Sequence, residues 1–338
     1  MVVKLKDIAD TTGKSITTVS RALNDYDDVS EETKVLVRKV AKELGYSPNT
    51  WAQRLQKQHT DTLGLIIPTF GPRFADPFFS EFLAGVGNRA AHFGYDMLVS
   101  TRAPGEEEEA AYQAAIQGKR VDGFVLVRTR RKDERITLLQ ESDFPFVSFG
   151  RAEESFDFPY VDEDGTHGMM SVVRHLTELG HKRIGYIAPP PELMFAEHRL
   201  KGFQAGLAEA GIQESDAPIL VSDLTQRGGY EQACKLLDSA SPPTAIAASN
   251  DLTAFGAMSA ALERGMVVGK DISVTGFDDI PMAEYSHPSL TTLHQPLYQI
   301  GGMVCEMLIQ LIRGEALDDR HVLLKPELIA RQSSGPAQ

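Results

Sequence analysis

From Thr62 onward the chain repeats one pattern, a short apolar run followed by an amphipathic stretch of helical period. The runs fall at 63–67, 96–100, 123–127, 146–149, 183–188, 245–248 and 273–277. The helical stretches lie near 78–93, 107–118, 165–179, 197–210, 228–238 and 251–264. A strand covered on both faces reads as a continuous apolar run, and strand–helix–strand repeats pack as parallel sheet under helices. The repeats exceed one comfortable sheet, so the pattern predicts two similar lobes.

At 338 residues, with 42% hydrophobic and 24% charged side chains, the chain has the make-up of a soluble globular protein of two or three domains. The start, MVVKLKDIAD, carries neither a long apolar run nor a small-residue cleavage site, which predicts a cytoplasmic protein without a membrane partner. Cys234 and Cys305 lie far apart without metal-ligand spacing and read as buried small apolar residues in a reducing compartment. The net charge of −13 is unevenly spread: residues 1–60 hold 10 Lys plus Arg against 8 Asp plus Glu, and the remainder holds 24 against 39. A near-neutral head on an acidic body permits nucleic-acid binding by the head alone.

Before that body, residues 15–24 read SITTVSRALN. Gly13 stops a preceding pattern built on Leu5, Ile8 and Ala9, Ser15 is a good N-cap, and Val19, Ala22 and Leu23 share a face. The opposite face carries Ile16, Thr17, Ser20, Arg21 and Asn24, small or hydrogen-bonding groups suited to a DNA groove. A third helix starts at the cap Ser30, is followed by Glu31 and Glu32, and turns Leu36, Val37, Val40, Ala41 and Leu44 inward before Gly45. Three short helices with a tight turn between the first two make a helix-turn-helix unit whose second helix reads DNA.

The run KLKDIADTTGKSITTVSRALNDYDDVSEETKVLVRKVAKELGYSPN resembles the DNA-binding head of the LacI/GalR family of bacterial repressors. The resemblance places Ile16, Thr17 and Arg21 at base edges, and Ser15, Thr18, Ser20, Asn24, Ser30, Thr33, Tyr46 and Asn49 at phosphates or bracing them. Residues 50–57, TWAQRLQK, are too short for an isolated helix and read as a hinge helix that folds when two copies meet on DNA. By resemblance Leu55 is the wedge that enters a minor-groove step. Gln56 and Trp51 depart from the usual residues there, and Trp51 reads as packing across the hinge.

The resemblance extends over the body through DPFF at 76–79, VDGFVL at 121–126, HLTELGHKRIGYI at 175–187, RLKGF at 199–203, SNDLTAFGA at 249–257, VTGFDD at 274–279 and HPSLTTLHQP at 287–296. It implies a small all-α helix-turn-helix head joined to an α/β body of two doubly wound parallel-sheet lobes of periplasmic-binding-protein type, crossed three times by the chain. The head spans 1–47, the hinge helix and linker 48–60, and the body 61–338. The first lobe takes about 61–161 plus 292–321 and the second about 162–291 plus 322–334. A small-molecule effector then sits between the lobes, outside the carboxyl ends of the strands. Arg199 at the start of its helix, Asn250 and Asp278 offer donors and acceptors for vicinal hydroxyls, which suits a sugar. Phe78 or Phe79 supplies an apolar wall, Thr129 and Gln295 are polar partners, and Phe195 is a further neighbour, as is Arg151. Gly150 stands where a relative places a carboxylate, and Leu224 where it stacks a tryptophan.

Other patterns carry less. Gly85, Gly87 and Ala90 spell G-x-G-x-x-A inside a helical stretch with no strand before it, so no phosphate loop forms there. Glu106 to Glu109 read as an exposed helix start, and His167, His175 and His181 lack metal spacing. With no nucleophile or metal motif present, neither enzymatic activity nor a cofactor is expected. The prediction is a ligand-controlled repressor acting as a homodimer on operator DNA. The alternative is a free sugar-binding protein or sugar-processing enzyme on the same body.

Overall fold

The structure is a computed structural model that describes residues 3–46, 59–69 and 77–338. The chain divides into two units, Met1–Thr60 and Asp61–Gln338.

In the first unit, α1 (Leu5–Thr12), α2 (Ile16–Leu23) and α3 (Glu31–Leu44) close around Ile8, Ala9, Val19, Ala22, Val37, Val40 and Ala41. The expected caps are in place. Ser15 Oγ accepts the Thr18 N–H at 3.1 Å, Ser30 Oγ accepts the Thr33 N–H at 3.4 Å, and Gly13 and Gly45 take φ of 66° and 69°. Leu36 and Leu44, expected inside, are 41% and 38% exposed. At roughly 1.5 Å per residue the fourteen-residue α3 outruns the eight-residue α1 and α2 that it packs on, which leaves Leu44 uncovered. The buried stripe passes through Lys34 instead of Leu36, and the Lys34 ammonium lies 3.1 Å from Asp25 and 3.0 Å from Glu31.

The second unit begins with β1 (Thr62–Pro68), α4 (Phe78–His92), β2 (Asp96–Arg102), α5 (Glu106–Gln117), β3 (Gly123–Leu126), α6 (Glu134–Glu141), β4 (Phe146–Phe149) and β5 (Tyr160–Glu163). It continues with α7 (Gly165–Glu178), β6 (Ile184–Ala188), α8 (Met194–Ala210), β7 (Ile219–Val221), α9 (Gln226–Leu237), β8 (Ala245–Ala248), α10 (Asp251–Glu263), β9 (Ser273–Thr275) and α11 (Pro281–Tyr285). It ends with β10 (Thr292–His294), α12 (Leu297–Ile312), β11 (His321–Leu324) and β12 (Glu327–Ile329). One parallel sheet runs in the order β11-β5-β4-β3-β1-β2 and a second in the order β7-β6-β8-β9. The strand order reverses between β1 and β3 and again between β6 and β8, and these are the points where such sheets leave a crevice.

The chain passes from the first sheet to the second after β5, returns through β10 to α12 and β11, and leaves again through β12. Both β5 and β11 run to Glu163 and Leu324, a little past the crossings drawn from the sequence, so Asp162 and Glu163 belong to the first sheet. β10 and β12 pair with each other.

Helix α12, absent from the sequence pattern of helices, is the centre of the first lobe. Its Ile300, Val304 and Leu308 are buried with Leu63, Leu65, Phe79, Phe82 and Val86. Gly85, half of the false phosphate motif, is where α4 meets α12: a Cβ there would lie 2.1 Å from the Tyr298 carbonyl oxygen. Glu108, expected on an exposed helix start, is buried between Arg130 and Arg135, at 2.6 and 3.2 Å. Cys305 is buried as expected, whereas Cys234 is half-buried. His175 and His181 hold the chain end: His175 Nε2 lies 2.8 Å from Ser334 Oγ and His181 Nε2 3.0 Å from the Gly335 carbonyl. Among the described residues no helix is long and apolar enough to cross a membrane.

Candidate DNA-reading helix and effector cleft

Helix α2 presents the surface that its sequence predicts. Ser15, Ile16 and Thr17 are exposed, with Ile16 at 49%, while Thr18 and Ser20 are half-buried beside the core residue Val19. An isoleucine half in water at a helix start is left uncovered by the head's own packing. Arg21 departs from the simple outward picture, because its Nη2 lies 2.6 Å from Asp28 Oδ2 and its guanidinium sits 5.1 Å from the Tyr26 ring centroid. The Asn24 amide donates to the Ser20 carbonyl at 2.9 Å and caps the helix. Ser30 and Thr33 share a hydroxyl contact of 2.9 Å, and Tyr46 is half-buried. Asn49, Leu55 and the hinge at 50–57 lie outside the described residues.

In the body, a cleft between the two sheets is lined by Phe78, Val127, Arg128, Thr129, Phe149, Gly150, Arg151, Asp162, Glu163, Phe195, Arg199, Leu224, Asn250, Asp278 and Gln295. The structure thus brings together Phe78, Thr129, Phe195, Arg199, Asn250, Asp278 and Gln295 from distant parts of the chain. Phe79 does not join them. It is fully buried in the first core, because successive residues on a helix point about 100° apart and only Phe78 turns outward. Phe78 instead stacks on Phe149, with centroids 5.7 Å apart and planes 8° apart.

Arg199 is the anchor. It lies in the second turn of α8, which starts at Met194 and not at Arg199 as the sequence suggested. Its Nη2 donates to Glu163 Oε1 at 2.8 Å and its Nη1 to the Ser249 carbonyl at 2.5 Å. The guanidinium lies 4.6 and 3.5 Å from the ring centroids of Phe195 and Phe277. The buried Nε–H has no hydrogen-bond partner among the described residues. Gln295 is similar. Its amide donates to Asp278 Oδ1 at 2.8 Å and its buried Oε1 is unpartnered. Asn250 is more committed than its sequence position implied, because its Oδ1 caps α10 at the Thr253 N–H and its Nδ2 donates to the Leu224 carbonyl.

Sequence reasoning passed over Asp162 and Glu163. Asp162 Oδ2 accepts from Arg151 Nε at 2.6 Å. Burial, with Glu163 alongside, pushes the Asp162 carboxyl up to about 8 against the opposing pull of Arg151. Across the cleft Arg151 Nη2 lies 3.2 Å from His198 Nδ1, and burial with the adjacent guanidinium lowers that imidazole to about 4. His198 is therefore neutral near pH 7 and its Nδ1 accepts from Arg151. Gly150 has φ 114°, and a Cβ there would lie 2.6 Å from Thr129 Oγ1, so the residue keeps the wall flat. Among the described residues no group of His, Cys, Asp and Glu is placed to hold a metal.

Comparison with known proteins agrees with this geometry. Residues 4–49 match the model of bacterial regulatory proteins of the lacI family, and residues 173–334 match a periplasmic binding protein-like domain. The chain is 37% identical to the HTH-type transcriptional regulator AglR of Rhizobium meliloti (strain 1021), covering 100% of this chain and 96% of that protein. A structure of the transcriptional regulator CelR in complex with cellobiose aligns at TM-score 0.76 and 30% identity, over 98% of this chain and 99% of that one. The lac repressor dimer bound to operator and the anti-inducer ONPF aligns at TM-score 0.87 and 28% identity, over 99% of this chain and 100% of that one. These relatives are regulators and not enzymes, which removes the sugar-processing alternative. The similarity to these regulators runs through both the helix-turn-helix unit and the α/β body. The chain belongs to the LacI family of bacterial transcription regulators.

Proposed function

We propose that the chain is a repressor that binds a two-fold operator as a homodimer in the cytoplasm, and that its effector is an uncharged sugar or polyol held in the cleft. The observation that carries the effector class is the pairing of charge inside the cleft. Arg199 is matched by Glu163, and Arg151 is already engaged by Asp162 Oδ2 and His198 Nδ1, so a charged ligand would meet guanidinium groups that are already occupied. What the buried wall leaves unsatisfied is one donor, Arg199 Nε, and one acceptor, Gln295 Oε1. A hydroxyl can serve both, while Phe78, Phe195 and Leu224 cover the apolar face of a ring. Thr129, Asn250 and Asp278 shape the same wall. Phe79 supports Phe78 from behind.

For the dimer, the support is two sheet edges that present apolar groups to solvent, Leu98 and Val99 on β2 and Ile219 and Val221 on β7. Exposed edge strands of this kind need cover. In the head, Ile16, Thr17 and Arg21 read bases, and Ser15, Thr18, Ser20, Asn24, Ser30, Thr33, Tyr46 and Asn49 engage or brace phosphates, with Leu55 as the wedge. An electrophoretic shift with random-site selection tests the head, and a thermal-shift screen of neutral mono- and disaccharides tests the cleft. Failure to select any site, or stabilisation only by anions, overturns the respective half of this reading.

A further inference from the structure

Behind its open mouth the cleft is narrow. It offers a water molecule's centre about 60 Å³, less than the ~150 Å³ that accommodates a single benzene ring. A sugar ring enters only when the lobes part, and besides the Arg199–Glu163 and Arg151–His198 contacts inside the cleft the lobes are tied at its mouth. The loop after β3 and the loop before α8 come from different lobes and pair as a short antiparallel bridge, Arg130 opposite Leu193. The Met194 N–H donates to the Thr129 carbonyl at 2.9 Å and the Arg131 N–H to the Glu192 carbonyl at 3.1 Å. Arg131 adds a side-chain tie, its Nη1 3.3 Å from Glu197 Oε2 on α8.

We infer that this bridge is a latch: a pair of backbone hydrogen bonds that holds the lobes closed and must open before a ligand can enter. It builds on the reading of the cleft as an effector site, but its own existence does not depend on which ligand binds there. The first-lobe half is held rigid from behind. The Arg130 N–H donates to Asp133 Oδ2 at 2.9 Å and the Arg130 guanidinium to the buried Glu108 at 2.6 Å. The second-lobe half is the turn that leads into α8, held by the Leu193 N–H donating to the Pro190 carbonyl at 3.2 Å and the Ala196 N–H donating to the Leu193 carbonyl at 3.1 Å. Two stiff loops joined by two hydrogen bonds open as a unit, and this is what distinguishes a latch from a mobile lid. Thr129 belongs to both parts, since its carbonyl takes the latch bond while the residue lines the cleft.

One substitution removes a latch bond with little other change. Met194 is the first residue of α8, where a helix needs no N–H and proline is well accepted. Leu193 before it already has φ −79° and ψ 133°, the conformation a following proline requires. Met194→Pro therefore deletes the donor, and Met194→Ala, which keeps the donor and loses the side chain, is its control. Hydrogen exchange measured by mass spectrometry on the full chain, with no sugar added, reads the Arg131 amide. In the wild type that amide is protected. Met194→Pro speeds its exchange at least tenfold while Met194→Ala stays near wild type, and peptides from β1 and β8 are unchanged in both. Glu197→Ala, which cuts the side-chain tie, gives a two- to fivefold increase.

An unprotected Arg131 amide in the wild type, or equal exchange in the proline and alanine variants, overturns the latch. Should Met194→Pro lose protection throughout the body and so fail to fold, Glu197→Ala decides alone, and an unchanged Arg131 amide then overturns it. Because no ligand is present, a wrong assignment of the effector leaves this result untouched and shows itself instead in the thermal-shift screen.

Discussion

Replacing Arg199 by leucine separates what this residue does for the fold from what it does for a ligand. The Arg199 and Glu163 side chains are only 5% and 6% exposed and meet at 2.8 Å. Removing one member of a buried pair leaves the other unneutralised and typically costs about 3–5 kcal/mol. Arg199→Leu also strips the Ser249 carbonyl of its donor, which keeps the estimate at the upper end of that range. For a body of this size each kcal/mol moves the melting temperature by roughly 2–4 °C, so the variant should melt roughly 6–20 °C below wild type. Replacing Arg199 and Glu163 together by leucine removes the stranded charge and should recover stability to within about 1–3 kcal/mol of wild type, the remainder being the Ser249 carbonyl left without its donor. Neither variant should respond to effector. Far-ultraviolet circular dichroism is the suitable probe, because the sequence from Asp61 to Gln338 contains no tryptophan. A single variant as stable as wild type, or a double variant no better than the single one, would refute the argument that Glu163 and Arg199 neutralise each other.

Three further outcomes are expected. Asp162, pushed up to about 8 from an ordinary 3.8, holds its proton more tightly folded than unfolded. The body should therefore lose stability as pH rises from about 4 to about 8, and Asp162→Asn should flatten that slope in a melting-temperature series; Asp251, raised to about 7 by burial, acts with the same sign. Gly150→Val should destabilise the body by about 1–3 kcal/mol in urea titration, since it combines φ 114° with a Cβ 2.6 Å from Thr129 Oγ1, and an effect under 0.5 kcal/mol would show that the wall yields. Arg21→Ala should weaken binding to the selected operator by about 1–3 kcal/mol and relax its sequence preference, measured by fluorescence anisotropy at fixed salt, while unchanged preference would reassign Arg21 to phosphate contact.

The helix-turn-helix head was legible because each of its helices is bounded by a local signal: Ser15 and Ser30 as caps, Gly13 and Gly45 as stops. The central strands β1, β3, β6 and β8 were legible for a different reason, since burial on both faces makes them apolar almost throughout. What escaped notice had neither property. β5 is four residues long and half acidic, and nothing local marks Asp162 and Glu163 as buried; they are tolerated only because Arg151 and Arg199 arrive from elsewhere in the chain. α12 carries a buried stripe of Leu297, Ile300, Val304 and Leu308 opposite the exposed Tyr298 and Gln299, and it went unnoticed because it lies beyond the strand–helix repeats that framed the other helices. Glu108 looked like a solvated charge because its partners, Arg130 and Arg135, lie a strand and a loop away. Phe78 and Phe79 were indistinguishable in sequence, and only the rotation of α4 decides which faces the cleft.

An effector moves the operator equilibrium only through its difference in affinity between two arrangements of the lobes. In the proposed site, Arg199 Nε and Gln295 Oε1 are the buried cleft groups without partners among the described residues. A hydrogen bond to the charged donor contributes about 1.5–3 kcal/mol and one to the amide about 1 kcal/mol, so a ligand that makes both only when the cleft is closed supplies about 2.5–4 kcal/mol. Moving an equilibrium from 1:99 to 99:1 takes about 5.5 kcal/mol. One occupied cleft falls short of that, and two in the proposed dimer, at about 5–8 kcal/mol, reach it. The operator response to effector should therefore be steep, with a Hill coefficient above 1. A heterodimer carrying Arg199→Leu and Glu163→Leu in one subunit should respond only partially at saturating effector. An electrophoretic shift with differentially tagged subunits measures this, and a full response from that heterodimer would mean that one cleft supplies the whole switch through contacts other than these two groups.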